Sequence, residues 1–179
     1  PKASLGEGVF TDVDSAVNAA TEAQKYFVKL GFDKRREIIE GMRQTALENA
    51  QRLAELAVQD TKMGRVADKK VKNWLVATKT PGPEDLPKEM FYGDRGVTLS
   101  VFSPVGVVGA ITPTTNPTAT IINNSIIILS AGNAVTFNPH PNAALCSNET
   151  VKVLNRAVVK LGGPVNLMTT VAEPSLRTS

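Results

Sequence analysis

The densest set of groups able to do chemistry is the stretch Thr112-Pro113-Thr114-Thr115-Asn116-Pro117. Three hydroxyls and one carboxamide stand together between two apolar segments, Val105 to Ile111 and Thr118 to Ser130. A carboxamide or a row of free backbone N–H groups can donate to an oxygen that gains negative charge in a transition state, an effect of about 3 kcal/mol per donor. Asn116-Pro117 is also a strong helix start, because Asn can accept from an orphan amide and Pro at the first helical position forgoes no needed donor. Asn116 therefore reads as a helix cap, beside free backbone N–H groups that favour developing negative charge. A second stretch, Asn138-Pro139-His140-Pro141, holds the only histidine. It reads as a rigid, Pro-flanked loop that holds the start of the next helix. The only cysteine, Cys146, lies one turn into the helix that follows. A helix start can lower a thiol pKa, but the residue reads as a small buried hydrophobe.

The elements that must position these groups follow from periodicity. Val105 to Ile111 is a continuous apolar run, the mark of a strand buried on both faces of a parallel sheet. Thr118 to Ser130 is an apolar helix, Gly132 its C-terminal stop, and Ala134 to Phe137 a second strand. A helix from Pro141 to about Leu161 and a third strand, Val165 to Val171, complete two βαβ crossovers. In such sheets ligands bind at the carboxyl ends of the strands, where Thr112 to Asn116 stands. Upstream, helical spacing predicts helices over residues 12–30, with Thr11 as N-cap, and 34–60, with Asp33 as N-cap. A shorter helix begins near Asp68, its inner face formed by Val71, Trp74, Leu75 and Thr78, its lysines on a solvated face. Residues 97–102 alternate like a strand with one face more exposed. The fold class is α/β: N-terminal helices, then half of a doubly wound, Rossmann-like parallel sheet. The division is residues 1–96, helical, and 97–179, the sheet part. The third strand is expected to show an unpaired apolar edge, so that something follows Ser179 or pairs with it.

The 179 residues suffice for one core, with 42% hydrophobic and 21% charged residues. A net charge of +3 gives no nucleic-acid footprint. A single cysteine excludes an internal disulfide and a multi-cysteine metal site, and no metal site is read. No apolar run is long enough to span a membrane and no signal peptide is visible, so an intracellular soluble protein is expected. Neither G-x-G-x-x-G nor a P-loop is present; Gly106 and Gly109 suit close helix–sheet packing.

The segment GVVGAITPTTNPTATIINNSIIILSAGNAVTFNPHP, residues 106–141, resembles the CoA-acylating aldehyde dehydrogenases, of the microcompartment propionaldehyde and acetaldehyde dehydrogenase type. The PTTNP loop, the NN(S/A) helix, the AGN turn and the PHP loop occur together in that family, and the Met63-Gly64 to Asn73 segment is similar too. The resemblance covers essentially the whole chain but only the N-terminal part of such an enzyme. It implies NAD and coenzyme A as co-substrates, a short aldehyde substrate, a homo-oligomer, and residence in the cytoplasm or a microcompartment lumen with a possible shell contact. It implies an oxyanion donor in this loop. Aligning the flanking prolines puts Thr115 at the usual Asn position, so Asn116 and Thr115 are both candidates. Thr112, Pro113, Thr114, Asn138, Pro139, His140 and Pro141 become cofactor-binding candidates. The usual Lys and Glu that clamp the adenosine ribose are missing, which resembles the acylating branch, where one site takes NAD and CoA in turn. The family's nucleophilic cysteine lies beyond this chain. Two alternatives stand: the aldehyde domain of a bifunctional aldehyde–alcohol dehydrogenase, and a non-catalytic nucleotide- or partner-binding fragment.

Overall fold

The computed structural model describes residues 3–175 and 178. Two short strands, β1 (Ser4–Gly6) and β2 (Val9–Phe10), lead into four helices, α1 (Val13–Lys29), α2 (Phe32–Glu48), α3 (Ala50–Thr61) and α4 (Val66–Lys79). A hairpin follows, β3 (Lys88–Gly93) and β4 (Gly96–Val101). The chain then runs β5 (Val107–Thr112), α5 (Pro117–Ser130), β6 (Ala134–Pro139), α6 (Ala144–Lys160) and β7 (Met168–Val171). The five-stranded sheet has the order β1-β2-β7-β6-β5. Strands β5, β6, β7 and β2 are parallel neighbours, and only β1 runs antiparallel. This is the expected α/β architecture of helices followed by a mostly parallel sheet.

Several expectations need correction. The strand after Val105 is not buried on both faces: β5 is an edge strand, and Ile111 is 72% exposed. The central strand is β6, all six of whose residues are buried. β7 is shorter than residues 165–171, and its outer edge is not bare. Val9 pairs with Thr170 and Phe10 with Val171, so the N-terminal segment closes that edge. The approach is tight at Gly8, with φ +91°, where a Cβ would collide with the Met168 carbonyl and the Asn155 side chain.

Residues 97–102 do not join this sheet. β4 pairs with β3 alone, in the register Met90 with Leu99 and Tyr92 with Val97, and all twelve residues of the hairpin are exposed. Asp12 rather than Thr11 caps α1, accepting from the Ser15 amide at 2.8 Å. The long helix is two helices, broken at Asn49, and Asp33 lies inside α2, which starts after Gly31 at φ +81°.

Helix α1 contacts β2, β5, β6 and β7, while α5 and α6 carry the crossovers between the parallel strands. Helices α2, α3 and α4 form an outer layer over α5 and α6. One hydrophobic cluster unites Phe27 of α1, Ile38 and Met42 of α2, Ile121 and Ile126 of α5, Phe137 of β6 and Leu154 of α6. Residues from both sides of position 96 thus share one core. Each fully buried Ile or Leu contributes about 1.5–3 kcal/mol, which holds α5 helical despite its β-branched residues. No helix among the described residues is long and apolar enough to cross a membrane.

Candidate functional site

The parallel pairing of β5 and β6 brings the two candidate loops together. Thr112 lies opposite Pro139, and the His140 amide donates to the Thr112 carbonyl at 3.0 Å. Thr112 to Asn116 and Asn138 to Pro141 therefore form one surface at the carboxyl ends of both strands, the end at which such sheets bind ligands. Thr112 is buried, and its hydroxyl has no hydrogen-bond partner. Pro113 and Thr115 are exposed and Thr114 is half-buried. Asn138 and Pro139 are buried, and the Asn138 carboxamide oxygen accepts from the Thr178 hydroxyl at 2.8 Å. His140 and Pro141 are exposed. His140 Nδ1 accepts from the Asn142 amide at 3.1 Å, capping a short 3-10 turn, Pro141–Ala143, that precedes α6.

Asn116 occupies the position before the first residue of α5, but its side chain does not cap the helix. Its Oδ1 instead accepts from Lys72 Nζ at 2.9 Å. The cap expectation fails because a cation outcompetes the backbone amides for that oxygen. The first turn of α5 keeps its uncapped amides, and with them a preference for negative charge.

Helix α4 explains how the loop is held, and its apolar residues gave the wrong face. Val71, Trp74 and Leu75 are exposed, whereas Lys69, Asn73 and Ala77 are buried. Lys69 is 6% exposed and donates to the Thr115 carbonyl at 2.9 Å. Asn73 Oδ1 accepts from the Thr118 hydroxyl at 2.8 Å, and its Nδ2 donates to the Ala50 carbonyl at 3.1 Å. Lys69, Lys72 and Asn73 thus grip Thr115, Asn116 and Thr118 with one i, i+3, i+4 face. The lysines are not simply a solvated run. Their polar i, i+3, i+4 spacing was the available signal. Burial, and then the Lys72 charge beside it, lower the Lys69 pKa from its ordinary value.

Cys146 is fully buried in α6. Its Sγ donates to the Ala143 carbonyl at 3.4 Å, and its amide donates to Asp60 at 2.9 Å. Burial, followed by the Asp60 carboxylate, pushes the thiol pKa up to about 12. Such a thiol is protonated at neutral pH and is no nucleophile. Among the described residues no group of three or more His, Cys, Asp or Glu could hold a metal ion. The two loops offer backbone amides, the orphaned Thr112 hydroxyl and a nearby lysine. That donor set fits a phosphate-bearing cofactor.

The aldehyde dehydrogenase family model matches residues 3–177. The acetylating acetaldehyde dehydrogenase of Salmonella typhimurium is 46% identical, over 96% of this chain and 36% of that enzyme. A propionaldehyde dehydrogenase from the fucose utilisation bacterial microcompartment of Clostridium phytofermentans superimposes with a TM-score of 0.93 at 48% identity, covering 96% of this chain and 39% of its own. The propionaldehyde dehydrogenase of Rhodopseudomonas palustris with bound propionyl-CoA gives a TM-score of 0.93 at 44% identity, over 97% and 39%. The chain spans a little over a third of the length of the curated relatives it matches.

Proposed function

The chain belongs to the aldehyde dehydrogenase family, and from that premise we propose that it is the N-terminal part of a CoA-acylating enzyme. The parent reaction takes a short aldehyde, NAD+ and CoA to acyl-CoA, NADH and a proton. The observation that carries this reading is the joining of the two loops at the strand ends, beside an uncapped helix start. The similarity to an acetylating enzyme and to a propionaldehyde dehydrogenase bound to propionyl-CoA supports a short aldehyde as the substrate. Bound NAD+ supplies the hydride acceptor. Thr112, Pro113, Thr114, Asn138, Pro139, His140 and Pro141 supply the cofactor surface, with the Thr114 hydroxyl and the exposed His140 ring among its polar groups and no charged ribose clamp.

The thioester forms on a cysteine outside these residues, since Cys146 is buried and protonated. As its thiolate attacks, the carbonyl π pair moves onto oxygen, and the Asn116 amide donates to the oxyanion, with Thr115 as the alternative donor. Removing such a donor typically costs about 100- to 1,000-fold in kcat. The similarity to a microcompartment enzyme supports residence in a microcompartment lumen, and the parent is a homo-oligomer in this reading. The test is incubation of the protein bearing this segment with propanal, NAD+ and CoA. NADH and propionyl-CoA formed in equal amounts support the reading. NADH formed without CoA, with propionate as product, overturns the acylating assignment, and no NADH at all overturns the activity.

A further inference from the structure

We infer that Lys72 is a positioning residue for the oxyanion donor: its ammonium holds the Asn116 carboxamide by the oxygen and leaves the NH2 group free to donate. This rests on the reading of Asn116 as that donor. An ammonium has three donors and no acceptor, so the half of the carboxamide that faces it is the oxygen. The contact is 2.9 Å and charge-assisted. An Asn before a helix would otherwise turn the same oxygen onto the free amides of the first turn. Here α5 has no side-chain cap, so the helix has given up that bond while Lys72 keeps it.

The contact is also framed. Lys69 on the Thr115 carbonyl and Asn73 on the Thr118 hydroxyl bracket it on either side, and both of those α4 side chains are buried. The backbone that carries Asn116 is fixed between them, leaving the carboxamide torsion to Lys72. The cation also draws electron density toward the carboxamide oxygen, which makes the N–H a stronger donor. Lys72 and Asn116 line one open groove with Leu75, Ala119 and Thr120, of about 250 Å³. Asn116 therefore borders open space beside the first turn of α5.

The experiment compares Lys72→Met, Lys72→Arg, Asn116→Ala and the double variant Lys72→Met/Asn116→Ala in the full enzyme, with kcat, the aldehyde KM, NAD+ affinity and thermal midpoint measured for each. Lys72→Met is expected to lower kcat about ten- to thirtyfold with KM and NAD+ affinity within about twofold, because only the transition state needs the oriented donor. Lys72→Arg, which still donates to the oxygen, restores kcat to within about threefold of wild type. The double variant is no slower than Asn116→Ala, since Lys72 acts only through Asn116. If Lys72→Met leaves kcat intact while Asn116→Ala lowers it, the positioning role is overturned and the oxyanion reading stands. Additive losses in the double variant, a loss confined to KM, or no recovery with arginine also overturn the positioning role. If Asn116→Ala leaves kcat intact, the oxyanion reading itself falls, and this inference with it.

Discussion

At Cys146 two surroundings oppose ionisation: full burial and the Asp60 carboxylate. A raised thiol pKa links stability to pH with a definite sign. Below pH 9.0, the ordinary value, folded and unfolded chains both hold the proton and the term is constant. Between 9.0 and about 12 the unfolded chain releases it first, so the contribution to stability is lost as pH rises. The thermal midpoint of the wild-type chain should therefore fall more steeply over that interval than that of Cys146→Ala. Equal slopes would contradict the assigned pKa. In the full enzyme, Cys146→Ala should keep NADH formation within about twofold, where a nucleophile would lose several orders of magnitude.

Helix α4, which holds the loop, is also anchored at its far end. Arg43 of α2 donates to the Ala77 carbonyl at 2.9 Å and to the Thr80 carbonyl at 2.6 Å, and is 9% exposed. Its contact with the exposed Glu84 adds little. Arg43→Leu strips two acceptors at the end of α4 of their charged donor and should cost about 2–4 kcal/mol, read as a lower urea midpoint at unchanged slope. A change under 0.5 kcal/mol would mean that water replaces the guanidinium. The elements with regular apolar spacing, α1, α5, β6 and α6, were legible in the sequence. Helix α4 was found but turned the wrong way, because periodicity assumes that apolar side chains face inward. Lys69 and Asn73 face inward instead, since the Thr115 carbonyl, the Thr118 hydroxyl and the Ala50 carbonyl need donors and acceptors there. Strand β2 left no signal, having two residues whose partner lies at the other end of the chain. The PTTNP loop announced itself through Asn and Pro; the lysine that turns its carboxamide did not, because a helix face gives no hint of what it reaches.

On the scale of the whole molecule, the β3–β4 hairpin stands apart from the sheet. One of its faces collects Met90, Tyr92, Val97, Leu99 and Val101, all exposed, Tyr92 by 81%. An apolar face of this kind drives association. The 179-residue chain should therefore sediment with a mass that rises with concentration. Met90→Lys combined with Leu99→Lys, a directly paired couple, should return it to monomer with the thermal midpoint unchanged, since both side chains are exposed, by 62% and 65%. An unchanged sedimentation profile would place the association elsewhere. The pairing of β2 with β7 carries a consequence for synthesis. Val9 and Phe10 leave the ribosome about 160 residues before the strand they pair with. At about 5–20 residues per second, the two side chains wait on the order of ten seconds in water. The sheet thus joins two strands made about 160 residues apart.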